Sequence, residues 1–283
     1  MARRYELSDA SWELIKDLVS PEQKMGRPRN NDRQVLHGIL WILCSGAPWR
    51  DLPERFGPWS TVYQRFRDWR DDGTFERVLE RLHIRLNREG LIDLDTWMID
   101  STAVRATRAS SGAGKKGGEE PLDHALGRSR GGLTTKIHMV CDANGVPLHF
   151  RLSPGQASDV SHAQPLLDAV RIAGKPGRPR KRSRWLLADK GYDADYLRQY
   201  CDRYRMQPVI PLRAMPRKAR PGLPRLFDRP KYRQRNIIER MFGWLKENRR
   251  IGTRYDKLAK SFAAMVTLAC SLRCMRQYFS YKA

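Results

Sequence analysis

The sequence predicts an α/β protein, with a mixed-sheet domain over residues 91–283 preceded by an all-helical, helix-turn-helix-like domain over residues 1–90. Three observations predict this. Apolar residues recur at helical spacing through the first part of the chain. From Thr96 they alternate or run continuously in short strand-like segments. After Ser158, helical and strand patterns take turns, as in a sheet covered by helices.

In the first region Ser8 or Asp9 can cap a helix whose apolar positions are Trp12, Ile15, Leu18 and Val19. The turn Gly26-Arg27-Pro28-Arg29 separates it from a second helix, Asp32 to Cys44. A short segment, Trp49 to Phe56, and a Gly57-Pro58 break precede a helix starting at Ser60 or Thr61. That helix turns Val62, Phe66 and Trp69 inward and Gln64, Arg65 and Arg67 outward. Two short helices, the second rich in Arg and Gln, suit a helix-turn-helix that presents Gln64, Arg65 and Arg67 to a major groove. Arg27 and Arg29 add a second basic contact. An ordinary bundle with a solvated basic face fits the same residues.

In the second region Thr96 to Ile99 reads as a strand, followed by a basic loop from Arg105 to Gly132. Thr134 to Cys141 alternates, Asp142-Ala143-Asn144-Gly145 is a hairpin turn, and Val146 to Leu152 returns. A helix then runs from Ser158 or Asp159 to Val170. A basic loop, Lys175 to Arg184, leads to the apolar strand Trp185 to Ala188. A helix from Asp193 to Tyr204 and a strand from Gln207 to Leu212 follow, before a third basic loop at 213–231.

Composition limits the partners. The 283 residues carry 54 Lys and Arg against 31 Asp and Glu, a formal net charge of +23. That excess points to a polyanion, with a ribosomal protein or a binder of acidic membranes as alternatives. Hydrophobic residues at 40 % exclude a disordered basic tail. The five cysteines are scattered, with no CxxC pair, and read as idle thiols of a reducing compartment. No signal core opens the chain, and the longest uncharged stretch, Ser261 to Leu272, is short of the ~20 residues of a membrane span. A cytoplasmic protein that makes no membrane contact is expected.

Asp100 and Asp189 each directly follow a predicted strand, where carboxylates converge at one edge of a sheet. A third acid on a late helix would complete an oxygen-ligand site for two divalent cations. The pattern Tyr232-x2-Arg235-x3-Glu239-x6-Lys246 supplies one. On one continuous helix Tyr232, Arg235 and Lys246 fall within about 40° of Glu239. Ile238, Met241, Phe242 and Leu245 make the adjoining apolar face. A solvated charged helix explains the charges but not their one-sided grouping.

These residues resemble the DDE transposases of bacterial insertion sequences. The resemblance lies in Asp100-Ser101-Thr102, in Ala188-Asp189-Lys190-Gly191-Tyr192 and in the Tyr-Arg-Glu-Lys spacing. The run from Gly127 to His138 is similar to that of one branch, the family-five insertion sequences. Gly26 to Arg29, Trp49 to Pro53 and Trp59 to Tyr63 fit the same branch, so the likeness covers nearly the whole chain. It implies an RNase H-like catalytic domain in which Asp100, Asp189 and Glu239 hold two Mg2+ ions, with Mn2+ able to substitute. It also implies that Tyr232, Arg235 and Lys246 contact DNA near the scissile phosphate. The partners implied are double-stranded DNA, both the terminal inverted repeats and the target, with a homodimer or higher oligomer assembled on it. Many relatives carry His where this chain has Thr107, so no role is transferred to that position.

Other residues are given structural roles. His138 and His149 are poor ligands for a hard cation, and Asp159, Asp193 and Asp195 read as helix caps, although the Asp159 loop can also lie near the site. The second Gly-Arg-Pro-Arg, Gly177 to Arg180, reads as a basic surface loop or a minor-groove arm. Two rivals remain at this stage: a nuclease that cuts without joining, and a regulator that only binds DNA.

Overall fold

The computed structural model describes residues 5–21, 31–112, 120–173, 179–213 and 227–280. Arg27 and Arg29 lie outside the described residues, as do parts of all three predicted basic loops.

The first predicted helix forms as two short ones, α1 (Asp9–Glu13) and α2 (Lys16–Val19), with the Ser8 hydroxyl accepting from the Ser11 N–H. In α3 (Asp32–Ser45) the Asn31 side chain takes the N–H groups of Arg33 and Gln34, and Gly46 closes the helix at φ 71°. α4 (Trp59–Asp71) buries Val62, Phe66 and Trp69, as their spacing requires. The connection from α3 to α4 is not a tight turn. Residues 46–58 contain two single-turn 3-10 helices, divided by Pro48, Pro53 and Pro58, which cannot continue a helix. Trp49 anchors this segment by packing its ring 5.0 Å from Tyr63 and 5.2 Å from Phe66. α5 (Thr74–Arg88) follows a genuine tight turn at Gly73.

Seven strands form one sheet: β1 (Thr96–Ala106), β2 (Gly127–Ser129), β3 (Gly132–Asp142), β4 (Pro147–Pro154), β5 (Trp185–Leu187), β6 (Gln207–Val209) and β7 (Thr253–Arg254). The main order across it is β4-β3-β1-β5-β6, with β3 antiparallel to its neighbours and β5 and β6 parallel to β1. A three-strand meander extended by parallel strands on the far side of β1 is the RNase H-like arrangement. β1 is longer than its sequence predicts. It continues to Ala106, so Asp100 sits mid-strand and the loop expected to start at Arg105 begins inside it. The reason is a change of environment within one strand. Thr96 to Ile99 is buried on both faces, whereas Val104, Arg105 and Ala106 alternate buried, exposed, buried.

The hairpin between β3 and β4 forms where expected. The Asp142 carboxylate, fully buried, accepts from the N–H groups of Asn144, Val146 and Asp93, and Gly145 supplies the left-handed residue. α6 (Asp159–Ala169) packs on β3, β4 and α7 (Asp195–Arg203). From the end of the third basic loop onward come α8 (Arg229–Arg233), α9 (Asn236–Glu247), α10 (Arg249–Gly252) and α11 (Ala259–Ser280).

The uncharged stretch 261–272 is the heart of α11, a helix apolar on nearly all sides. It packs on α5, α4 and α3 of the helical region and on β4 and α9 of the other. No helix among the described residues is long and apolar enough to cross a membrane. Cys141, Cys270 and Cys274 are buried free thiols.

Candidate active site

Parallel register sets up the site. Met98 of β1 pairs with Leu187 of β5, and Asp100 and Asp189 each lie two residues further along. The two carboxylates therefore stand at one level of adjacent chain segments and on one face of the sheet. Asp189 caps a single 3-10 turn over Lys190–Tyr192, its Oδ1 accepting the Gly191 N–H at 2.8 Å. A Cβ at that position would stand 2.8 Å from the same oxygen, so a larger residue would push the Asp189 carboxylate aside. Arg213 locks the turn by donating to the Lys190 and Gly191 carbonyls, and its own N–H donates to Asp193.

Asp100 Oδ1 accepts the Ser101 N–H at 2.8 Å, and Oδ2 accepts Arg235 Nη2 at 2.6 Å. The same nitrogen lies 3.3 Å from Glu239 Oε1, so one guanidinium bridges two of the three predicted ligands. Burial holds the Asp100 carboxyl above its usual range and the neighbouring Asp189 pushes the same way, while Arg235 and the Ser101 N–H pull against both. Glu239 is more open, its side chain 59 % exposed in the first turn of α9.

The expected one-helix stripe is broken. Tyr232 belongs to α8, and the chain turns at Gln234 and Arg235 before α9 begins. Tyr232 still reaches the site, since Arg235 Nη1 lies 3.5 Å from its hydroxyl. Lys246, in the last turn of α9, donates to the Ala103 carbonyl of β1 at 3.1 Å, and burial lowers its proton affinity. The adjoining face is buried as expected through Ile238, Met241, Phe242 and Leu245, which fixes α9 to the sheet.

The donor chemistry suits hard divalent cations, because Asp100, Asp189 and Glu239 offer carboxylate oxygens with no softer ligand among them. Asp189 Oδ2 takes no hydrogen bond from the described residues, and Asp100 Oδ2 takes only Arg235. A buried hydroxyl, that of Tyr192, has no hydrogen-bond partner among the described residues and lies in the field of Asp100, Asp159 and Asp189. No three ligating side chains close on a common point among the described residues. Arg235 fills the space between Asp100 and Glu239 instead.

On the opposite face of β1, Ser101 donates to Asp159 Oδ1 at 2.7 Å, and Lys136 Nζ donates to the same oxygen at 2.9 Å. Asp159 is thus not a helix cap but a brace behind Asp100. Nothing local in the sequence reveals it, since its partners lie 58 and 23 residues away. Asp193 is not a cap either, being buried and paired with Arg198. His138 is buried, with Nε2 on the Ser153 hydroxyl, and is drawn into no cation site. On α4, Gln64 donates to Asp68, and Arg65 faces Asp32 at 3.6 Å and stacks on Trp69. Arg67 is exposed.

Comparison with known proteins agrees with this geometry. Residues 94–274 match the family described as the transposase DDE domain, and residues 7–79 match one described as putative transposase of the IS4/5 family. The chain is 35 % identical over 160 residues to a putative transposase for insertion sequence element IS402 of Burkholderia cepacia, covering 56 % of this chain and 68 % of that one. It is 43 % identical over 117 residues to the uncharacterized protein y4sN of Sinorhizobium fredii, covering 41 % and 89 %. A solved Mos1 transposase paired-end complex shares 15 % identity over 66 % of this chain and 61 % of that one, at a TM-score of 0.24, too distant to carry an argument. With the DDE-domain match spanning well over half of its length, the chain belongs to the DDE transposases of insertion sequences.

Proposed function

We propose that this transposase binds the terminal inverted repeats of its element, cleaves the DNA to expose 3′-hydroxyls and joins them to target DNA. Asp100, Asp189 and Glu239 are the ligands for two divalent cations, Mg2+ with Mn2+ as a substitute. When bound, those cations supply Lewis-acid stabilisation and an activated water or 3′-hydroxyl for in-line phosphoryl transfer. The observation that carries this reading is the level pairing of Asp100 and Asp189, with Glu239 tied to Asp100 through Arg235.

The chain's own cations do the rest. Arg235 neutralises the acids in the free protein and turns to the scissile phosphate when DNA and cations are in place. Lys246 and the Tyr232 hydroxyl flank that phosphate on the same side. Residues 1–90 recognise the repeats, with Arg67, Gln64 and Arg65 toward the groove, and residues 91–283 perform the chemistry. Two copies acting on paired ends, in the bacterial cytoplasm, complete the reading.

The test uses labelled element ends and a plasmid target. Asp100→Asn, Asp189→Asn and Glu239→Gln each abolish cleavage and joining while retaining end binding. Turnover at the wild-type rate in any one of them removes that residue from the site. Cleavage by the wild type with no joined product makes the protein a nuclease instead.

A further inference from the structure

A recess of about 590 Å3 opens at the end of the sheet remote from the acids. Its lining includes Arg180, Lys181, Arg182, Arg184 and Arg205 against one acid, Asp95. Asp95 immediately precedes β1, Arg184 precedes β5, and Arg205 lies just before β6, so the recess sits at the starting ends of the parallel strands. Five residues separate Asp95 from Asp100 and Arg184 from Asp189, roughly 16 Å of strand.

The cations here are not all committed to structure. Arg182 is, bound to Asp168 at 2.6 Å with its guanidinium over Tyr200 and Tyr204, which holds the half-exposed Tyr204 ring at the rim. Arg180 faces Asp95 at 3.4 Å. Lys181, Arg184 and Arg205 have no acidic partner among the described residues. A basic track also connects the recess to the acids. Arg184 stacks on Trp185 at 5.7 Å, Lys231 covers the same ring at 4.6 Å, and Lys231 adjoins Tyr232.

Arg205 supplies a second, independent observation. It follows α7 with φ 55°, in the left-handed position where the Met206 N–H returns to the Cys201 carbonyl. Glycine takes that position without steric cost, and an arginine does not. Arg205 is therefore not there for its backbone, and its exposed side chain faces the recess with no acidic partner among the described residues.

We infer that this recess and its track form a phosphate-backbone site for the DNA duplex engaged at the acids, gripping it about five base steps from the scissile phosphate. The inference rests on the DNA-processing reading above. The contacts are to phosphates, so they add affinity and position without reading sequence.

The test is fluorescence anisotropy of the full chain with a 30-base-pair duplex of arbitrary sequence (roughly three helical turns), without divalent cations, over a range of KCl. Each neutralised phosphate contributes about 0.9 to the slope of log affinity against log salt. Arg184→Ala and Arg205→Gly each make the slope shallower by roughly one unit. Arg205→Gly also melts no lower than wild type, because it relieves the left-handed residue, so its binding loss cannot be misfolding. Arg276→Ala, which removes the same charge from α11, keeps the wild-type slope. Slopes for Arg184→Ala and Arg205→Gly equal to that of Arg276→Ala overturn the inference. So does a loss confined to anionic phosphatidylserine vesicles with DNA binding intact. Strand transfer by the wild type is scored separately: its absence overturns the DNA-joining reading, whereas an unchanged slope beside intact strand transfer overturns only the recess.

Discussion

Arg235 Nη2 lies 2.6 Å from Asp100 Oδ2, deep enough that the two side chains are only 13 % and 18 % exposed. The pair joins strand β1 to the start of α9, 135 residues later in the chain. A carboxylate at this depth is costly unless a cation faces it. In the free protein that cation is Arg235. A divalent ion bound at Asp100 would have to compete with the guanidinium for the same oxygen.

Arg235→Ala consequently removes the counter-charge from a largely buried acid. We expect a loss of stability on the order of 2–3 kcal/mol in thermal or urea unfolding. Millimolar Mg2+ or Mn2+ should raise the melting temperature of Arg235→Ala more than that of wild type, since the ion no longer has to displace a guanidinium. If neither cation moves either melting curve, Asp100 is not a cation ligand.

Lys246 differs from Arg235 in having no acidic partner among the described residues. Its ammonium donates to the Ala103 carbonyl at the edge of the site, a bond that a phosphate can replace. Lys246→Ala should make the salt slope of DNA binding shallower by roughly one unit and slow strand transfer roughly 10–100-fold. Loss of binding without loss of rate would confine Lys246 to holding the duplex.

The basic run from Arg213 to Lys260 holds 16 Lys and Arg against four Asp and Glu, and in sequence every one of them is equally available to DNA. Folding divides them. Arg250 is buried against Asp256, and Arg254, with no exposed surface, donates to the carbonyls of His124, Ala125, Asp256 and Lys257 and to the Thr135 hydroxyl. Arg254→Met should cost about 3 kcal/mol or more, because several buried carbonyls lose their donor at once. The salt slope of DNA binding should not change. A shallower slope at full stability would return Arg254 to the DNA surface.

What could be read in advance follows from the range of each interaction. The Arg235–Glu239 contact is an i,i+4 neighbour on a helix, and residue spacing alone predicts it. The acids were legible as residues beside strands, but their common level depends on the Met98–Leu187 pairing, which no local pattern encodes. Tyr232 was assigned to the helix of Glu239 because periodicity runs through Gln234 and Arg235 without a Gly or Pro to interrupt it. Asp159 and Asp193 were read as caps for want of any visible long-range partner. In the structure they hold Ser101 with Lys136, and Arg198 with Arg213.

Buried histidines set the response to acid. Burial pushes His138 and His149 down to about 4 and lowers His83 as well. Around His138, His162 stacked at 4.4 Å, Lys136 and Arg151 oppose a further charge, and Asp159 only partly offsets them. A histidine whose folded pKa lies below its unfolded value of about 6.5 binds more protons when unfolded. Its contribution to stability is therefore complete above about pH 6.5 and is lost as the pH falls toward 4. Asp142, raised by burial to about 7, and Asp100, also raised, act in the opposite sense, since protonation favours their folded forms. The wild-type curve mixes both signs, so the test is a difference between proteins. His138→Gln can keep a hydrogen bond to Ser153 and cannot be protonated; relative to wild type it should lose less stability between pH 6.5 and 4. His149→Gln should behave alike, and the double variant should show the sum of the two. Parallel melting-temperature curves for wild type and both variants across that range would mean that neither ring is held neutral by the fold.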